Sequence, residues 1–182
     1  MLFFRPKVHF VDKKATKLKG GAIIISNHTS VLDMLLILLT FPFATIHTLA
    51  GETLYDCNPI LKVLLKMLLA IRVDRKRHDL SFMSKTVKLL EKGENILIFP
   101  QSRLPEKNSS SILPFMPTFI YLAKESGRPI IPVWHSEKYG IHRTKVSVGT
   151  PIYIGKDECP SHEEIKEVTT KIQNELYSLA DL

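Results

Sequence analysis

Apolar and polar positions alternate along the chain in two kinds of block: short β-branched runs and longer segments with helical spacing. Lys7-Val8-His9-Phe10-Val11 alternates polar with apolar and predicts a half-buried strand. The isoleucine run in residues 22–25 predicts a fully buried strand. From Val31 to about Leu39 the length and composition are those of a buried helix, stopped before Pro42. Further strands are predicted over 46–50, 70–74, 95–99 and 129–135, with one or two more within 144–154. A helix over 59–69 carries Lys62 and Lys66 as its only charges, four apart on one face. Residues 81–92 predict an amphipathic helix closed by Gly93, and 115–126 a helix closed by Gly127. The last helix starts at a capping box, Ser161 with Glu164, and runs towards the C-terminus. Between 101 and 111 the chain is polar and irregular.

This alternation has no linker and no internal repeat. It predicts a single α/β domain over residues 1–182: a mostly parallel mixed β-sheet flanked by helices on both faces. Sites in such sheets form where loops leave the carboxyl ends of strands. Three polar corners fall there: Asn27-His28, Arg75, and Gln101-Ser102-Arg103.

Composition changes the picture in one respect. An apolar fraction of 45% is ordinary for a globular chain of 182 residues, but 25 Lys and Arg against 18 Asp and Glu give a net charge of +7. Such a field favours an anionic partner: phosphate esters, a nucleic acid or an anionic membrane leaflet. Nucleic acid fits poorly, because the basic residues are spread among corners with no stacking aromatics between them. Cys57 and Cys159 lack metal-type spacing, and a reduced intracellular protein is expected. No segment has the apolar length of a spanning helix, and the N-terminal residues do not read as a signal peptide, so membrane contact is expected to be peripheral.

The corner after the second predicted strand carries the most chemistry. His28 and Asp33 would point about 140° apart on a continuous helix. They can meet if His28 lies in the turn before the helix and Asp33 in its first turn, with Thr29 or Ser30 as N-cap. A carboxylate receiving Nδ1–H would then fix the imidazole tautomer and leave Nε2 free as a base. Ser30 and Asp33 also match a capping box, and the helix dipole alone favours an acid there. The two readings are compatible, since an Asp has two oxygens. The run Arg75-Lys76-Arg77-His78 is ordinarily a solvated surface, yet directly after a strand Arg75 could grip phosphate with both arms. Arg103, in Phe99-Pro100-Gln101-Ser102-Arg103, is a second candidate for an anionic substrate. Lys62 and Lys66 fit either a core helix with snorkelling lysines or an interfacial helix on lipid.

At these residues the sequence resembles a known superfamily. Asn27-His28-Thr29-Ser30-Val31-Leu32-Asp33 is similar to the Asn-His-x-x-x-x-Asp motif of the glycerolipid acyltransferases, which include the lysophosphatidic acid acyltransferases. Three further blocks follow in order. Residues 70–75 resemble the second motif, whose closing Arg contacts substrate phosphate. Ile98-Phe99-Pro100-Gln101-Ser102-Arg103 resembles the third, usually Phe-Pro-Glu-Gly followed by an Arg, and Ile130-Ile131-Pro132-Val133 the fourth. The likeness spans about residues 20–155.

The resemblance implies transfer of a fatty acyl group from acyl-coenzyme A or acyl carrier protein to the free hydroxyl of lysophosphatidate, in phospholipid biosynthesis. His28 would be the general base and Asp33 its orienting partner; Arg75, Gln101, Ser102 and Arg103 would bind the acceptor. No cofactor and no metal is implied beyond the acyl donor as co-substrate. The expected location is the cytoplasmic face of an anionic membrane. Gln101 stands where the family usually has Glu, and Ser102 where it has Gly. The alternatives are another lysophospholipid or glycerol-3-phosphate as acceptor, or a non-catalytic protein that binds anionic lipid.

Overall fold

The four residues Ile23–Ser26 are buried on both sides, and the sheet is built outwards from them. Fully burying each of the three isoleucines contributes about 2 kcal/mol, which only a central strand can supply. The computed structural model describes residues 6–12, 18–30, 32–52, 65–66, 69–73, 81–102, 104, 113–137, 139, 144–156, 158 and 161–182. Its strands are β1 (Lys7–Phe10), β2 (Ile23–Ser26), β3 (Ile46–Gly51), β4 (Ile71–Val73), β5 (Asn95–Ile98), β6 (Ile130–His135) and β7 (Lys145–Val148). The helices are α1 (Asp33–Thr40), α2 (Ser81–Glu91), α3 (Thr118–Ser126) and α4 (His162–Ser178), followed by a 3-10 turn, Leu179–Asp181.

All seven strands join one sheet in the order β1-β7-β6-β2-β5-β3-β4. β2 pairs in parallel with both β5 and β6, β5 with β3, β3 with β4, and β1 with β7. β6 and β7 pair antiparallel, so β1 and β7 run against the rest. The expected mostly parallel mixed sheet is therefore present. Consecutive strands β5 and β6 lie on either side of β2, which brings three carboxyl ends together at the centre of one edge.

Alternate residues of the central strands feed two separate cores. Ile23, Ile25, Ile96, Ile98 and Ile130 pack with Leu90 of α2, Phe119 and Leu122 of α3, and Ile172 and Leu176 of α4. On the other face, Ile24, Leu97, Ile131 and Val133 pack with Met34, Leu36 and Ile37 of α1. Helices thus cover both faces, as a parallel sheet requires.

Helix starts show where local signals were overruled. α3 begins at Thr118 rather than 115, with Pro117 at its N-cap. A residue before proline is pushed out of the α region, so Met116 cannot extend the helix backwards. α1 begins at Asp33 with Leu32 as N-cap and no side-chain cap bond. Neither Thr29 nor Ser30 occupies the cap expected of it: Asp33 does accept from the Ser30 N–H, but the Ser30 hydroxyl takes the Leu32 N–H at 3.2 Å and the Asp33 N–H goes to the Ser30 carbonyl. α4 does start at its capping box: Ser161 and Glu164 each accept from the other's backbone N–H. Within 144–154 one strand forms, and Ile152 adds a single antiparallel bridge to Ile130. Of the helix expected over 59–69, only Leu65, Lys66 and Leu69 are described; Leu65 is buried and Lys66 exposed.

Two glycines test the backbone directly. Gly21 enters β2 with φ of 86°, and a Cβ there would sit 2.5 Å from the Leu90 carbonyl oxygen. Gly127 ends α3 with φ of 65° and open space where a Cβ would go. Gly127→Ala is expected to cost about 1 kcal/mol, the left-handed penalty alone. Gly21→Ala should cost about 2 kcal/mol or more, because the clash adds to the same penalty. Urea unfolding of both variants measures the difference.

Candidate active site

The Asn27 side chain first fixes how β2 ends. Its Nδ2 donates to the His135 carbonyl at 2.9 Å, and its Oδ1 accepts from the His135 N–H at 2.9 Å. A primary amide is the side chain that can both donate and accept in this way, mimicking one more strand pairing. The chain beyond Asn27 is thereby delivered to the edge of the sheet beside the end of β6.

His28 then lies in the turn and Asp33 in the first turn of α1. The imidazole Nδ1–H donates to Asp33 Oδ2 at 2.9 Å, which brings together the pair expected from sequence. That oxygen also accepts from the backbone N–H groups of Thr29 at 2.6 Å and Ser30 at 2.9 Å. Nε2 of His28 has no partner among the described residues. The ring is one-fifth exposed, whereas the carboxylate is sealed from solvent. Phe99 stacks on the imidazole, centroids 4.2 Å apart. Its negative face would meet any positive charge that His28 acquires.

The other oxygen of Asp33 faces residues to which the sequence gave no role. Tyr139, beyond β6, donates its hydroxyl hydrogen to Asp33 Oδ1, and Thr29 Oγ1 lies 2.8 Å from the same phenol oxygen. His135 is fully buried, its Nε2 3.0 Å from the Asn27 carbonyl and 3.5 Å from Asp33 Oδ1. Burial pushes the Asp33 carboxyl upward. The hydrogen bond from His28, the His135 imidazole, the Tyr139 hydroxyl and the Ser30 amide together outweigh it and hold the group below the usual carboxylate range. Burial first, then the bond to Asp33, pushes the Tyr139 phenol far above its ordinary range, so it is a permanent donor here.

Gln101 is buried and committed within the protein. Its Oε1 accepts from the His28 backbone N–H at 2.5 Å, and its Nε2 donates to the Tyr177 hydroxyl of α4 at 3.3 Å. Ser102 adopts φ of 65°, the left-handed conformation in which the family's usual glycine is at ease. Arg75 and Arg103 lie outside the described residues, as do Lys62, Cys57 and Cys159. Among the described residues, no group of three or more His, Cys, Asp or Glu side chains is placed to hold a metal ion. The arrangement is an oriented imidazole with one nitrogen open, at the carboxyl edge of a parallel sheet. Such a group can take a proton from a substrate hydroxyl.

Sequence had flagged His28, Asp33, Gln101 and Ser102. It missed His135 and Tyr139, and only the position of His135 at a strand's carboxyl end could have pointed to either.

Comparison with known proteins bears on the family and the fold. A family model described as Acyltransferase matches residues 5–136. The 1-acyl-sn-glycerol-3-phosphate acyltransferase of Limnanthes alba is 30% identical over 118 residues, which are 63% of this chain and 41% of that protein. The match therefore spans about two fifths of that relative's length. The protein of the same name from Bacillus subtilis (strain 168) is 23% identical over 186 residues, covering 98% of this chain and 91% of its own. Among solved structures, the 1-acyl-sn-glycerophosphate (LPA) acyltransferase PlsC from Thermotoga maritima is similar with a TM-score of 0.66 at 17% identity. That likeness covers 97% of this chain and 72% of PlsC, and it is one of fold.

Two outcomes are expected. Ser102→Gly should raise stability by about 0.5–1 kcal/mol, the relief of left-handed strain less the entropy of a freer unfolded chain, read as a higher thermal midpoint. Asp33→Asn should cost about 3 kcal/mol at pH 7, because an amide cannot accept every bond the carboxylate accepts. The native pKa of Asp33 is depressed, so its charged form contributes stability above the unfolded value of about 3.9 and loses it as pH falls through the native pKa. The stability gap between wild type and Asp33→Asn should therefore narrow below about pH 4, in urea titrations run from pH 7 downward.

Proposed function

The chain belongs to the acyltransferase family, and on that premise we propose that it moves a fatty acyl group from acyl-coenzyme A or acyl carrier protein to the free hydroxyl of lysophosphatidate. The observation that carries the proposal is the His28–Asp33 contact, with Nε2 pointing away from the carboxylate. In the proposed step the acceptor hydroxyl gives its proton to His28 Nε2 while its oxygen attacks the thioester carbonyl. The carbon–sulfur bond then breaks, and the leaving thiolate takes the proton back from the imidazolium. Asp33 stabilises that transient cation and keeps Nδ1 protonated. No acyl-enzyme is needed.

Arg75 and Arg103 are the proposed grips for the acceptor's phosphate, with Ser102 in the turn that leads to Arg103. The committed amide of Gln101 supports a role in holding the His28 backbone rather than in touching the acceptor. The proposed location is a peripheral one on the cytoplasmic, anionic face of a membrane. No helix among the described residues is long and apolar enough to cross one. Leu32 and Leu35 of the α1 segment are about two-fifths exposed, and Phe43 just beyond it is fully exposed. With a net charge of +7, the exposed leucines next to Asp33 in the chain suit a layer of anionic lipid.

Purified protein is to be assayed with liposomes or detergent across acyl-coenzyme A and acyl carrier protein donors, and across lysophosphatidate, other lysophospholipids and glycerol-3-phosphate. His28→Ala should reduce transfer by about 10²–10⁴-fold, the usual contribution of a general base, while circular dichroism and thermal midpoint hold. Wild-type turnover in that variant refutes the mechanism. Lipid binding with no transfer from any donor would make the chain a binding protein instead.

A further inference from the structure

The carboxylate partner of His28 is held from behind as well as in front. Oδ2 takes the imidazole and two backbone amides. Oδ1 takes the Tyr139 hydroxyl, with Thr29 Oγ1 at 3.5 Å and His135 Nε2 at 3.5 Å. Tyr139 is reached across a sequence separation of 106 residues, from the segment between the antiparallel strands β6 and β7. That segment lies outside the blocks that carry the family resemblance.

We propose that Tyr139 is a positioning residue for the His28–Asp33 pair: its hydroxyl, set between Asp33 Oδ1 and Thr29 Oγ1, fixes the rotation of the carboxylate and draws its charge away from His28. Both effects follow from the geometry. The terminal torsion of an aspartate is broad and soft, so three donors on one oxygen leave the plane of the group free to rock. A donor on the other oxygen pins it, and with it the direction of Nε2. An anion within hydrogen-bond distance also favours the imidazolium form of a histidine, and a base already protonated at rest accepts nothing from a substrate. A strong donor on the far oxygen disperses the carboxylate charge and moderates that pull. The raised pKa of Tyr139 agrees, since a phenol that never ionises in the working range is always available to donate. Among the described residues, the titratable groups facing Asp33 are His28 from the turn after β2, His135 from β6 and Tyr139 beyond it. The group facing His28 is Asp33.

This inference rests on the proposed acyl transfer for its kinetic consequence but not for its structural one. The test is therefore a proton-NMR titration of the His28 ring in wild type and Tyr139→Phe, with the resonance assigned by its loss in His28→Gln. The pH profile of kcat/KM for lysophosphatidate is measured alongside. In Tyr139→Phe the His28 pKa should rise by about half a unit to one unit, and the acid limb of the profile should move up with it. kcat should fall several-fold with KM for the acceptor little changed. Thr29→Val, which removes the hydroxyl on the other side of the phenol, should move the His28 titration in the same direction by less, and it carries the test if Tyr139→Phe fails to fold. An unmoved His28 titration overturns the proposal, even if the variant is less stable. If wild type transfers no acyl group, the functional reading falls while the titration still decides the role of Tyr139.

Discussion

Taking a carboxylate out of water costs several kcal/mol unless donors replace its hydration, and Asp33 is taken out of water completely. Its donors come from two distant parts of the chain. His28, Thr29 and Ser30 precede it in the turn after β2, and Tyr139 arrives from beyond β6. The second set exists only because β6 lies beside β2 in the observed register. The Asn27 amide locks that register at its last rung by exchanging bonds with the His135 backbone. A slip of one residue would reverse every side chain on the strand, break this exchange and leave the buried charge short of a donor. The fold and the dyad are therefore satisfied by the same arrangement. The group that the core must neutralise is the group that orients the imidazole.

This dependence explains which parts of the site could be read in the sequence. The isoleucine-rich strands announced themselves, because residues buried on both faces leave a continuous apolar run. The start of α4 was legible from Ser161 and Glu164, and the ends of α2 and α3 from Gly93 and Gly127, because caps are local. His28 and Asp33 were legible for the same reason, being separated by one turn. Tyr139 and His135 were not. Their contact with Asp33 depends on β5 and β6 flanking β2, and strand order is not written in any short stretch of residues. At α1 the capping box stays half-formed for a local reason: Asp33 accepts from the Ser30 N–H, but the Ser30 hydroxyl takes the Leu32 amide in place of that of Asp33.

The two departures from the family pattern at 101 and 102 have different physical meanings. At 102 the backbone keeps the left-handed turn that a glycine would favour, so serine preserves the geometry at the expense of strain. At 101 the change is one of hydrogen-bond polarity. A carboxylate could only accept, from the His28 N–H and from the Tyr177 hydroxyl. The amide accepts from His28 and donates to Tyr177, so the phenol's own hydrogen is released for another acceptor. Burial and the nearby Glu137 keep that phenol protonated by raising its pKa. The replacement thus removes a negative charge beside the base while keeping the tie that joins β5, the His28 turn and α4.

α1 links this interior to the proposed lipid surface. A helix places residues three and four apart on one face, and the segment obeys that rule on both sides. Met34, Ile37 and the carboxylate of Asp33 point inward, while Leu32 and Leu35 point out. The acid that orients the base and the leucines that would meet lipid are neighbours on the same short rigid element, with no flexible joint between them. If a lysophospholipid is the acceptor, its hydroxyl sits near the headgroup level while its acyl chain stays in the bilayer. A base fixed to the shallow side of an interfacial helix can reach that hydroxyl without extracting the lipid. On the proposed reading, the burial of Asp33 determines the depth of the chemistry as well as its direction, because moving the carboxylate would turn the whole outer face of α1 with it.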